Sequence, residues 1–215
     1  MNEITRFLTL PKMSFMVLGP RGTGKSTLIK KLIKFDLEID LLISKNFLAL
    51  NSNPSQLITM TKKLKPGAWV LIDEVQKIPA LLDEVHSLIE NKKINFALSG
   101  SSASKLRRQG ANLLAGRALS IQLFPMTFVE YQNYFKIEDA IQWGSLPKTI
   151  NDSDNRSDYL SSYVETYLRE ELVEEGVLRK LEPFNRFLNV CGLYHAQILN
   201  IENVSRESFV PRSQL

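Results

Sequence analysis

Cysteine is nearly missing from this chain: Cys191 is the single one in 215 residues. An intrachain disulfide is therefore excluded, and the sequence fits a reducing compartment. Histidine is almost as scarce. His86 and His195 are the only two, and with one thiol they offer no zinc-ligand spacing. No apolar run approaches the ~20 residues of a membrane span. Met1-Asn2-Glu3-Ile4-Thr5-Arg6 has no basic stretch followed by an apolar core, so no secretory signal is read there. A cytoplasmic protein with no membrane partner is expected. An excess of one charge is lacking too: 27 basic residues against 23 acidic ones leave +4, too little to imply nucleic acid by itself. The lysines are spread in small groups (Lys30, Lys31 and Lys34; Lys62, Lys63 and Lys65) that read as solvated helix faces. No internal repeat or low-complexity segment is present. What remains is an ordinary globular balance, 44% hydrophobic and 23% charged, in a chain long enough for one domain and a small appendage.

The strongest local pattern is Gly19-Pro20-Arg21-Gly22-Thr23-Gly24-Lys25-Ser26, followed by Thr27. It fits G-x-x-x-x-G-K-[ST], a phosphate-binding loop. Phe15-Met16-Val17-Leu18 before it reads as a buried strand. Leu28, Ile29, Leu32 and Ile33 after it recur at helical spacing. The glycines let the backbone fold tightly and turn its N–H groups inward. The helix beginning near Lys25 adds unpaired N–H groups and the positive end of its dipole. Lys25 supplies a charge for the β- and γ-phosphates, and Ser26 a hydroxyl for Mg²⁺.

Trp69-Val70-Leu71-Ile72-Asp73-Glu74 is an apolar strand ending in two carboxylates. Ligands of parallel sheets gather at such carboxyl ends. Asp73 is the candidate to hold Mg²⁺ with Ser26, and Glu74 the candidate to orient or deprotonate an attacking water. Ile94-Asn95-Phe96-Ala97-Leu98 is the next strand and ends in Ser99-Gly100-Ser101-Ser102. Ser99 is the candidate to contact the γ-phosphate; Ser101 or Ser102 suits the cap of a helix holding Leu106. Arg117 precedes the strand Ala118–Leu123. It reads either as a surface residue or as an arginine that offsets charge on a transferring phosphate, in its own subunit or a neighbour's.

Strands alternating with helices predict an α/β fold with a parallel, doubly wound sheet. Within it, residues 1–13 are expected to form a short helix and turn, a lead-in that in nucleotide-binding folds can touch the adenine. Phe47–Leu50 reads as a weak strand. Pro54 opens a helix through Leu64, and Pro79 one carrying Leu81, Leu82, Val85, Leu88 and Ile89. Past Phe124-Pro125 only helices are expected. Phe128, Tyr131, Tyr134 and Phe135 read as core. A polar linker at 151–158 precedes a long helix with Leu160, Val164, Tyr167, Leu168 and Leu172 on one face. Glu165 and Arg169 are spaced to pair, Glu170, Glu171, Glu174 and Glu175 read as solvated, and Gly176 as the helix end. Phe184, Phe187, Leu188 and Cys191 mark another helix, with Cys191 a buried thiol. Ile198–Ser205 reads as one helix of a helix-turn-helix and Phe209–Ser213 as the start of a second, so a C-terminally truncated chain is expected.

Together these residues resemble a family of bacterial and archaeal AAA+ ATPases. Gly19–Thr27 resembles the Walker A loop of that family, and Leu71-Ile72-Asp73-Glu74-Val75-Gln76-Lys77-Ile78-Pro79 its distinctive Walker B. Leu98–Ser102 is similar to its sensor-1 segment, Leu114-Ala115-Gly116-Arg117 to its Gly-Arg element, and Leu123–Phe128 to its Pro-containing motif. Gly144-Ser145-Leu146-Pro147 resembles a Gly-Gly-x-Pro turn, with Ser where a second Gly is usual. The resemblance implies a P-loop sheet in AAA+ order over residues 1–135, a helical lid over 136–192 and the start of a winged helix over 193–215. It implies ATP and Mg²⁺ as ligands, hydrolysis driving a conformational switch, a functional role for Arg117 and self-association. DNA or protein partners would be bound through a C-terminal part that the resemblance implies and that is expected to be missing here. The rival readings are a nucleotide-gated interaction module with negligible hydrolysis and a P-loop kinase acting on a small molecule.

Overall fold

The computed structural model describes residues 5–101, 106, 114, 116–167 and 181–214. The readings for Ser102, Leu168, Arg169, Leu172, Glu170, Glu171, Glu174, Glu175 and Gly176 lie outside the described residues. The chain divides into two compact units, Met1–Ser157 and Asp158–Leu215.

The first unit is built on five strands: β1 (Phe15–Leu18), β2 (Leu37–Asp40), β3 (Trp69–Asp73), β4 (Asn95–Gly100) and β5 (Leu119–Gln122). They form one sheet in the order β2-β3-β4-β1-β5, and every pairing is parallel. This is the α/β P-loop sheet that the sequence implied. The inner strands are apolar on both faces because both faces are covered. Phe15, Val17, Leu71 and Ala97 pack against Leu28 and Ile29 of α1 (Lys25–Leu32). Met16, Leu18, Ile72, Phe96 and Leu98 pack on the opposite side, against α2 (Ser44–Ser52), α3 (Gln56–Met60) and α4 (Leu81–Lys92), through Leu50, Leu57, Leu81 and Val85. The edge strand β5 leaves Leu119, Ser120 and Gln122 exposed.

Several local expectations are corrected. Residues 5–13 are not helical. Arg6, Leu8 and Leu10 alternate inward while Thr5, Phe7 and Thr9 face out, and the segment is tied by the Arg6 guanidinium donating to the Phe124 carbonyl and the Phe7 amide to Glu130 at 3.1 Å. Phe47–Leu50 is helix, not strand. Phe47 and Leu50 fall on one face at an i, i+3 spacing, and Leu50 is fully buried. The strand lies earlier, at Leu37–Asp40, where Leu37 and Ile39 alternate with Glu38, which pairs with Lys30 at 3.0 Å. The helix after Pro54 is shorter than expected.

Beyond β5 the first unit continues with α5 (Phe128–Tyr131), α6 (Ile137–Trp143) and α7 (Pro147–Asn151). Thr127 and Glu130 form a capping box on α5. The aromatic stripe is not all core: Tyr131 is buried, but Phe128 and Tyr134 are more than half exposed. Phe128 meets Phe135 edge-on, with ring centroids 4.8 Å apart. The helix α8 (Arg156–Tyr167) crosses the boundary between the units.

The second unit contains α9 (Leu181–Leu193) and α10 (Ile201–Ser208), which pack together. Arg186 donates to the Ser208 carbonyl at 3.1 Å. α10 starts later than expected because Asn200 caps it, accepting from the amides of Glu202 and Asn203. Ile198 is therefore left almost wholly exposed. Cys191 is half-buried rather than buried. Among the described residues past Phe209, the expected second helix is a single turn, Arg212–Gln214. Among the described residues no helix is long and apolar enough to cross a membrane.

Candidate nucleotide site

The register brings three segments to one edge. Leu18 is level with Gly100, and Ile72 with Leu98. The loop after β1, the carboxyl end of β4 and the carboxyl end of β3 therefore lie side by side. β4 stands between the other two. The Gly19 amide donates to the Gly100 carbonyl at 3.3 Å.

The loop backbone needs its glycines. Gly19, Gly22 and Gly24 have φ of 155°, 79° and 87°. A Cβ on Gly19 would sit 2.0 Å from the Leu123 carbonyl oxygen. Thr23 is buried and braces the turn by donating to the Pro20 carbonyl at 2.9 Å. Pro20 is half-buried, whereas Arg21, Gly22 and Thr27 are exposed. Gly24 stands at the start of α1, and as the N-cap residue it offers no side-chain hydrogen bond to that helix. Lys25 is buried, with its ammonium donating to the carbonyls of Gly19 at 2.8 Å and Pro20 at 3.0 Å.

Across from the loop, the Ser26 hydroxyl donates to Asp73 Oδ1 at 2.8 Å. Ser99 donates to the same oxygen, and its own oxygen accepts from the Glu74 amide at 3.2 Å. Glu74 has a left-handed backbone, φ 61° and ψ 44°. That conformation is uncommon for a residue with a side chain. It turns the chain sharply off β3, and the Glu74 carboxylate accepts from the Gln76 amide.

Ser26, Asp73, Ser99, Glu74 and Lys25 are thus gathered at one edge. Arg117 is not with them. Leu119 is level with Phe15, so Arg117 lies ahead of the strands, at the opposite edge of the sheet. At ~3.3 Å per strand residue its backbone is about 20 Å from the phosphate loop. Its guanidinium pairs there with Glu90 in the last turn of α4. Arg117 therefore does not reach the loop of its own chain.

A cavity of about 440 Å³ opens beside α1 and reaches the loop at Thr23 and Gly24. Leu8, Leu28, Leu32, Met126 and Pro147 give it apolar walls. Arg6 also lines it, with its side chain 8% exposed and 3.3 Å from Glu130. Burial pulls the Arg6 guanidinium below its usual pKa, and Glu130 opposes that shift.

The donors suit a nucleoside triphosphate with magnesium. N–H groups at a helix start, an ammonium and glycine turns form an anion cradle. The Ser26 hydroxyl and Asp73 carboxylate are hard oxygen ligands, 2.8 Å apart. Among the described residues no cluster of three or more His, Cys, Asp or Glu side chains could cage a metal. Mg²⁺ commonly binds through one or two carboxylates plus substrate phosphates instead.

Residue reasoning missed two parts of the site. Gln76 was noted only as a family feature, yet it is buried and bonds Glu74. The only hint was its position two residues after that carboxylate. Arg6 and Glu130 lie too far apart in the chain for any local pattern to join them.

Residues 12–132 match a family model described as an AAA domain, and residues 134–214 match one described as a domain of unknown function. An uncharacterized protein of Haemophilus influenzae is 26% identical over 129 residues, which span 54% of this chain and only 32% of that protein. Two mutant forms of Thermotoga maritima RuvB resemble the chain at 16% identity, with TM-scores of 0.48 and 0.43. The matches cover 94% of this chain and 77% and 76% of theirs.

Proposed function

The chain belongs to the AAA domain family, and from that premise we propose that it is a Mg²⁺-dependent ATPase whose hydrolysis of ATP drives a conformational switch. The observation that carries this reading is the 2.8 Å contact between Ser26 and Asp73. It joins the phosphate loop to the acidic strand end, where a triphosphate and its metal would meet.

In this reading the loop Gly19–Thr27, through its N–H groups from Arg21 onward, and the Lys25 ammonium bind the β- and γ-phosphates. Ser26 and Asp73 would hold Mg²⁺, which supplies charge neutralisation on the phosphate oxygens. Glu74 orients the attacking water and accepts its proton. Ser99 couples the γ-phosphate to the Asp73 carboxylate and to the backbone of Glu74, because its hydroxyl already bonds Asp73 and the Glu74 amide. The cavity beside α1 receives the base and ribose. Its apolar walls and the 440 Å³ volume suit a purine nucleoside. Arg117 offsets charge in a neighbouring copy of the chain, since its position at the opposite sheet edge supports no role at its own phosphate loop.

Phosphate release from Mg-ATP, followed over a range of protein concentration, tests this. Specific turnover should rise with concentration. Lys25→Ala should lose binding. Glu74→Gln should bind ATP but slow turnover by about 10²–10⁴-fold, the usual worth of a general base. Equal turnover in Glu74→Gln would remove Glu74 from the mechanism. Specific turnover independent of concentration would remove Arg117. Binding without turnover at any concentration would favour a nucleotide-gated module instead.

A further inference from the structure

The geometry points to Gln76 as the positioning residue for Glu74, holding its carboxylate against the end of β4. The inference rests on the reading of Glu74 as the group that activates water.

Gln76 lies in the single turn Val75–Lys77 that follows Glu74. Its side chain is buried. Its nitrogen is fully used: one N–H goes to Glu74 Oε2 and the other to the Ser101 hydroxyl at 3.1 Å. The network fixes which way the amide points, because the reverse orientation would set its carbonyl oxygen against a carboxylate. The carbonyl oxygen lies instead over Gly100. It is buried there and has no hydrogen-bond partner. A Cβ on Gly100 would come within 2.7 Å of it, so a larger residue at 100 would push the amide off Glu74.

An unpaired buried acceptor is destabilising. A residue present only to fill this space would be better apolar, like Val75 and Ile78 beside it. The amide instead performs a task that an apolar residue cannot. Glu74 has a left-handed backbone, which gives its side chain a direction but not a fixed rotamer. Two anchors complete the placement. Ser99 holds the Glu74 amide, and Gln76 holds the Glu74 carboxylate and ties it to Ser101, two residues further along the same segment. A base oriented in this way has its reach to the attacking water set by the end of β4.

Gln76→Met, which keeps the bulk and removes both donors, is the decisive variant. Gln76→Ala is its companion. In each, kcat for phosphate release should fall by about 10–100-fold, since a misplacement near 1 Å costs that order. The dissociation constant for Mg-ATP should stay within about twofold, because the hydrogen bonds of Gln76 go to Glu74 and Ser101, neither of which is assigned to the phosphates. A Tm for the Met variant close to that of the parent chain shows that the fold is intact. In a Glu74→Gln background, single-turnover rates should show no further loss when Gln76 is replaced, since a positioning residue acts only through its target. An additive loss in that background overturns the inference, as does an unchanged kcat in Gln76→Met while Glu74→Gln is inactive. Full turnover in Glu74→Gln overturns the reading of Glu74 itself, and the role of Gln76 with it.

Discussion

Gly19 and Gly67 both have positive φ, 155° and 84°, and one substitution separates two reasons for needing glycine. At Gly67 no atom lies within 4 Å of where a Cβ would stand. Gly67→Ala therefore adds backbone strain alone, about 1–2 kcal/mol. At Gly19 the same Cβ would sit 2.0 Å from the Leu123 carbonyl oxygen and 3.0 Å from its carbon. Neither can give way cheaply, because the Leu123 amide donates to the Leu18 carbonyl at 2.7 Å and pins β5 to β1. Relief requires that bond to open, at about 1 kcal/mol, in addition to roughly 1–3 kcal/mol of strain. Gly19→Ala should then cost about 2–4 kcal/mol, or roughly 5–15 °C in Tm for a unit of this size. Thermal unfolding followed by circular dichroism measures both variants, and nucleotide binding is read in parallel. Gly19→Ala should melt several degrees below Gly67→Ala and bind ATP more weakly, because the loop leaves β1 at that residue. Equal melting of the two variants, with normal binding in Gly19→Ala, would refute the close approach of β5 to the loop.

Two further perturbations are simple to read. Arg117 holds the Glu90 carboxyl below its usual pKa, first through their hydrogen bond and then through its charge. A depressed carboxyl favours the folded state above its unfolded pKa and loses that contribution as pH falls through the folded value. Arg117→Ala should move the Glu90 titration seen by NMR upward, towards an ordinary glutamate, and no change would mean that the pair does not persist in solution. In the second unit, Asn200→Ala removes the acceptor of two amides at the start of α10. It should destabilise that unit by about 0.5–2 kcal/mol, visible as faster amide exchange at Glu202 and Asn203; unchanged exchange would show that the cap contributes nothing.

The parts of the site legible in the sequence are those whose chemistry is local. Eight consecutive residues define the loop, and the two carboxylates follow directly on a strand whose apolar run has no other explanation than burial on both faces. β2 was lost because only Leu37 and Ile39 carry its signal, and Glu38 between them is held by Lys30. Phe47–Leu50 misled because four apolar residues do not distinguish a period of 2 from one of 3.6. Only the packing of Leu50 under the sheet decides it. The lead-in at 5–13 has mixed spacing and takes its extended form from distant partners, Phe124 and Glu130. The placement of Arg117 depends on strand register, which no stretch of sequence contains. Gln76 depends on Ser101, 25 residues away.

One strand joins the two halves of the site. β4 touches both halves of it. Its Gly100 carbonyl accepts from Gly19 on the phosphate loop, its Ser99 hydroxyl engages Asp73 and the Glu74 amide, and Ser101 accepts from the amide that holds Glu74. A shift of this one strand end relative to β1 and β3 would therefore alter the cradle and the acidic pair together. Neither motif contains that linkage. It arises only when the sheet sets β4 between them, with the two carboxylates and the loop brought to a single edge.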